Sequence, residues 1–205
     1  MPALSELPLQ KPISYAQVRN EICDGDIVLF SGEREVSKMI ARFSHGAYSH
    51  VGLVLTWYGR RMLLSAEMPK IQVLPLGVAV AGYPGRVDWY RLVPEARAKL
   101  DCERLAVEAL VNLGIEYGTT QLASLAAHYV LGVRLEEKDD EPVPKSMVCS
   151  QYVSRCFRRS GVDLSPLSDI ETVPGEIAGS ALLTFMGTLQ PEHKGRDEAR
   201  LNRSL

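Results

Sequence analysis

Short apolar runs separated by Gly- and Asp-marked turns dominate the first half of the chain, and apolar residues recurring every three to four positions dominate the second. The first pattern predicts strands over 27–30 (Ile27-Val28-Leu29-Phe30), 51–57, 62–67, 71–76 and 87–93. Asp24-Gly25-Asp26 turns into the first of them, Gly59-Arg60-Arg61 makes a hairpin of the second and third, and Gly82 to Gly85 breaks the chain before the last. Two short helices interrupt this half. One covers 15–22, and the other covers 33–43, where Val36, Met39, Ile40 and Phe43 share one face.

The second pattern predicts helices over 101–113 and 119–132. Cys102, Leu105, Ala106, Ala109, Leu110 and Leu113 line the inner face of the first, and Leu122, Leu125, Ala126, Tyr129, Val130 and Val133 that of the second. A third helix runs over 149–160 and ends at Gly161, a residue suited to the left-handed cap. Between them, 136–145 is charged, carries two prolines and reads as a solvated loop. Beyond Gln190 the tail mixes charges without apolar period and reads as disordered or peripheral. The expectation is one α+β domain over 1–190, an antiparallel sheet of about five strands packed against helices.

Composition narrows the function classes. Among 205 residues, 46% are hydrophobic, enough to bury a core, and the net charge of −2 provides no global field for nucleic acid or an anionic membrane. No basic run, phosphate-binding G-x-x-x-x-G-K-[ST] loop or paired Cys/His spacing appears, so neither nucleic acid, nor a metal, nor another cofactor is expected. No window reaches the ~18 consecutive apolar residues of a membrane-spanning helix. The first residues lack a secretory pattern, which gives a cytoplasmic expectation. Cys23, Cys102, Cys149 and Cys156 are too few and too scattered for a disulfide scaffold and are expected as free thiols.

One of these thiols is placed for chemistry. Cys149 stands where a helix begins, so unpaired N–H groups and the positive end of the helix dipole favour its thiolate and can hold a developing oxyanion. The alternative is that Cys149, in register with Val153, Cys156 and Phe157, is a small core residue, the reading kept for Cys23, Cys102 and Cys156. His50 opens the strand that follows the 44–49 loop, a position where a sheet fixes the ring and leaves a nitrogen free to serve as a base. His45, His128 and His193 have no such setting and read as structural.

The order GDIVLF, YSHVGLVL, LLSAEM, LGIEYG and VCSQYVSRCF resembles the permuted NlpC-type papain-like proteins of the YiiX/YaeF-like branch. Thr172-Val173-Pro174-Gly175-Glu176 resembles that family's closing T-P-x-x motif, so the likeness spans about residues 22–180. In unpermuted relatives the cysteine helix precedes the histidine strand; here the halves are exchanged. The resemblance implies Cys149 as nucleophile, His50 as general base and later acid, and a polar orienter on the next strand. Glu67 is the preferred orienter because a carboxylate also stabilises an imidazolium, with Ser65 the alternative. Tyr117, in Gly114-Ile115-Glu116-Tyr117-Gly118, and Ser150 are implied on the oxyanion or substrate side, and Asp26 reads as the cap of its turn.

The implied activity is a cysteine-dependent amidase or peptidase forming an acyl thioester, with a small-molecule or peptide substrate. Two alternatives stay open: a thiol acyltransferase or lipase acting on acyl lipids, with the 119–133 helix, Leu76, Val78 and Val80 lining a groove, and a non-catalytic binding module of the same fold.

Overall fold

The computed structural model describes residues 12–32, 47–132, 135 and 144–191. The helix expected over 33–43, most of the charged 136–145 loop and the tail from 192 lie outside the described residues.

Seven strands form one sheet: β1 (Ile13–Ser14), β2 (Ile27–Ser31), β3 (His50–Trp57), β4 (Arg60–Ala66), β5 (Ile71–Pro75), β6 (Arg86–Leu92) and β9 (Leu183–Gln190), in the order β1-β9-β6-β2-β3-β4-β5. Every neighbouring pair is antiparallel except β1 with β9, which is parallel. A separate parallel pair joins β7 (Glu116–Tyr117) to β8 (Ser146–Met147). The helices are α1 (Tyr15–Val18), α2 (Leu76–Gly82), α3 (Pro94–Arg97), α4 (Cys102–Val111), α5 (Thr119–Leu131), α6 (Cys149–Arg159) and α7 (Pro174–Ala178).

Period-two alternation explains how the sheet is covered on both sides. In β2, Ile27 and Leu29 enter a core shared with α4 and α6, whereas Val28 and Phe30 enter a second core closed by Val18 and Ile22 near α1 and by Leu76 and Val80 of α2. Each fully buried Leu, Ile or Phe of these cores contributes about 1.5–3 kcal/mol. Helix α6 packs over β3 and β4, and the Tyr152 hydroxyl fastens it to α4 by donating to the Ala109 carbonyl at 2.9 Å. Cys149, Tyr152, Val153, Cys156 and Phe157 form its buried stripe.

The expected sheet of five strands is therefore corrected to seven. β9 escaped notice because threonines and Gly187 interrupt its apolar run (Leu-Thr-Phe-Met-Gly-Thr-Leu-Gln), and its register against β6 shifts at Trp89/Tyr90, so strict alternation is broken. β1 has only two residues and takes its identity from β9. Residues 76–82 are helical rather than the end of a strand and a loop; four of the seven are Ala or Gly, too small to announce a period. The expected 15–22 helix is a single turn.

Candidate functional site

Cys149 is the first residue of α6, and its residue surface is 3% exposed. The preceding Val148 has no side chain able to cap, and the first intrahelical bond is from Tyr152 N–H to Val148 O at 3.0 Å. The N–H groups of Cys149, Ser150 and Gln151 therefore lie ahead of the helical ladder, in the turn that carries the sulfur. Ser150 and Gln151 are buried beside it, and the side-chain Oε1 of Gln151 accepts no hydrogen bond.

His50 is the first residue of β3, level with Phe30 of β2, and its ring lies 5.3 Å from that of Phe30. The antiparallel register that pairs Leu53 with Leu64, continued three residues beyond, brings Glu67 level with His50. The Glu67 carboxylate approaches His50 Nε2 at 3.4 Å through Oε1, a charge contact longer than an aligned hydrogen bond. Burial alone would push the imidazole down. The charge of Cys149 and its hydrogen bond to the ring, followed by Glu67, outweigh that burial and raise His50 to about 9.

Glu67 sits one residue past the end of β4 rather than on it, as expected from sequence. His50 is the main influence holding its carboxyl below the usual carboxylate range, against partial burial, and hydrogen bonds from Ser65 and Gln72 add to the effect. Ser65 donates its hydroxyl to Oε1 at 3.1 Å and Gln72 its amide to Oε2 at 2.8 Å. The two residues named as alternatives from sequence thus stand in series: Glu67 meets the ring, and Ser65 meets Glu67. Gln72 was missed. Ser65 pairs with Gln72 across β4 and β5, so a polar residue near the start of an apolar strand was the available signal.

Tyr117 lies on β7, whose partner β8 runs through Val148 into α6, and Tyr117 pairs with Met147. Burial chiefly, then the charges of Cys149 and Glu67, push its phenol well above its ordinary value, so it presents a neutral hydroxyl to that neighbourhood. Asp26 accepts from Cys23 N–H at 2.9 Å, which closes the turn before β2, and from Trp89 and Arg91 as well. The remaining cysteines differ from Cys149: Cys23 is exposed, Cys102 is half-buried, and Cys156 is fully buried with its thiol pushed up by that burial. His128 lies 4.0 Å from Glu171, while His45 and His193 lie outside the described residues. Leu76 and Val80 belong to the core on the other face of the sheet, so they line no groove at Cys149. Chemically, the cluster joins a sulfur at the first turn of a helix, an imidazole whose proton affinity is raised, and a carboxylate fixed behind the ring.

No protein-family model matches the chain, and no curated protein matches it. Among solved structures its fold is similar to that of the metalloprotein yiiX from Escherichia coli O157:H7, with a TM-score of 0.58 over 82% of this chain and 98% of that one, at 17% identity. At that identity the likeness shows the fold alone: the chain has a YiiX-like fold.

Proposed function

We propose that this chain is a cysteine-dependent hydrolase of amide or peptide bonds, built as a permuted NlpC-type papain-like enzyme. The observation that carries the reading is His50, held between Cys149 and Glu67 and raised toward a protonated state by both. Cys149 Sγ attacks the substrate carbonyl carbon and forms the C–S bond, while the carbonyl oxygen takes the negative charge and is met by the first-turn N–H groups of α6, with the Tyr117 hydroxyl alongside. Collapse breaks the C–N bond, and the amine leaves with the proton that His50 carries. His50, now neutral, takes a proton from the water that attacks the thioester; collapse breaks the C–S bond and releases the carboxylic acid, and the sulfur departs as thiolate beside the imidazolium, which restores the starting pair. Glu67 keeps the ring oriented and stabilises the imidazolium at both stages.

The structural neighbour is described as a metalloprotein. Among the described residues, no group of three or more His, Cys, Asp or Glu side chains is gathered as an ion would require. The donors here do not fit a metal, and no step is routed through one.

The test is labelling of the folded chain with thiol-reactive acyl, peptide and lipid probes, read by mass spectrometry. Cys149 should react far faster at neutral pH than Cys23, Cys102 or Cys156, and His50→Ala should slow it. Equal rates at the four thiols would overturn the assignment. A strong preference for lipid probes would replace amide hydrolysis by acyl transfer.

A further inference from the structure

A concave site lies away from Cys149, on the sheet face closed by α1 and α2. It is a cleft of about 440 Å³ at the β3–β4 turn, within the size range of small-molecule sites, and its lining includes Tyr15, Arg19, Asn20, Arg60, Arg61 and Val78. Three arginines converge there, and among the described residues no carboxylate lines the cleft.

Elsewhere the described arginines are engaged. Arg86 meets Asp88, Arg91 meets Asp26, Arg104 and Arg159 meet Glu108, Arg158 meets Asp163 and Asp169, and Arg97 donates to the Asp24 carbonyl. The guanidinium groups of Arg19 and Arg60 have neither an ion pair nor a hydrogen bond within the described residues, and both residues line this cleft. Arg61 is fixed in a different way: its guanidinium donates to the backbone carbonyls of Ile22, Asn20 and Gly59, which orients the group without neutralising its charge. Tyr15 shows the resulting field. Burial raises its phenol, while Arg61 and Arg19 pull it back down.

We propose that this cleft binds a small anionic molecule, its phosphate or carboxylate oxygens held by the guanidinium forks of Arg19 and Arg60 beside a pre-oriented Arg61. Guanidinium groups suit this class because their planar donors pair with two oxygens at once. Pro75, Val78 and the Tyr15 ring provide an apolar wall for the body of such a molecule.

Calorimetric titration of the full chain with inorganic pyrophosphate and, separately, with citrate tests the proposal. Saturable binding is expected for at least one probe, weakened about tenfold or more by Arg19→Ala and by Arg60→Ala, since each removes a charge-assisted hydrogen bond. Both side chains are exposed and hold no hydrogen bond or ion pair within the described residues, so the variants should melt with the parent. Arg104→Ala, on the exposed face of α4, is the control for general electrostatics and should leave binding unchanged. Tighter pyrophosphate assigns a phosphate-bearing ligand, and tighter citrate a carboxylate-bearing one. Absence of saturable binding, or equal weakening by Arg104→Ala, would overturn the site.

Discussion

Asp26 and Glu67 are carboxylates at the margins of the same sheet, and they are used in opposite ways. Asp26 is 1% exposed and receives Cys23 N–H at 2.9 Å, Trp89 Nε1 at 2.8 Å, and Arg91 Nε and Nη2 at 2.9 and 2.8 Å. Each donor comes from the turn or from β6, so the charge ties those elements together and no acceptor capacity is left for another partner. Asp88 repeats the pattern, accepting from Tyr48, Thr188 and Arg86 while fully buried. Glu67 is different: its side chain is 39% exposed, Ser65 and Gln72 fix its two oxygens, and the nearest cation is a histidine whose Nε2 makes no aligned hydrogen bond. A saturated buried carboxylate holds a fold together. A carboxylate fixed behind a titrating ring that touches a thiol has an interaction left to complete, which is what a site requires.

The widest separation between the two regions should come from removing the base. His50→Ala is expected to cut thiol-dependent turnover by about 10²–10⁴-fold, the range of general acid–base contributions, without changing cooperative unfolding. The pH profile sharpens this. Because the His50 pKa is raised, the imidazolium persists as pH rises past the ordinary 6.5 and is lost only through about 9. The rate of leaving-group protonation should therefore fall on an alkaline limb near that value. Glu67→Gln removes one of the charges that raise His50, so the limb should move to lower pH, as should the histidine titration followed by NMR. A limb that stays in place would detach Glu67 from the ring.

Asp26→Asn probes the other region and should do the reverse. It leaves Arg91 beside a neutral amide and removes the charge that Trp89 and the turn share, with an expected loss of about 3 kcal/mol in denaturant unfolding, at the lower end for breaking a buried pair. Labelling of Cys149 in the folded fraction should be unchanged. A fall in that labelling would place Asp26 within the site and erase the contrast.

What could be read from sequence follows the same division. Strands β2 to β6 were legible because continuous apolar runs and Gly-marked turns announce them, and helices α4 and α6 because their apolar stripes keep the helical period; α5 forms as expected but its expected inner face does not hold, since only Leu125 is buried there and Val130 is exposed, as is Leu110 on α4. Strand β9 was not legible, since its register shift and Gly187 break the alternation on which a strand reading depends. In the site, Cys149 and His50 were marked by position: one starts a helix, the other a strand. Choosing between Ser65 and Glu67 was beyond a period-two argument, because both project from the same side of the β4 segment. The β3–β4 register and side-chain reach determine which one meets the ring. Gln72 left only the signal of a polar residue in an apolar strand, and the β4–β5 pairing that gives it a role is encoded by no local pattern.

The smallest expected effect falls on Gln72 and tests how far the site extends beyond the residues that touch the ring. Its amide donates to Glu67 Oε2 at 2.8 Å and leaves Oε1 toward His50. On the proposed reading, Gln72 would be a positioning residue, acting through Glu67. Removing one hydrogen bond to a partly exposed charge should cost about 1 kcal/mol, or roughly fivefold in kcat, with KM little changed. The pH profile supplies the readout that a merely structural role would not move. Gln72 helps hold the Glu67 carboxyl below its usual range, and that contribution is lost in Gln72→Ala, so Glu67 should protonate at higher pH and the acid limb should shift upward. Gln72→Glu places a second carboxylate there and should shift the limb further in the same direction. An acid limb that does not move, accompanied by a lower melting temperature, would assign Gln72 to the pairing of β4 with β5 and end the site at Glu67.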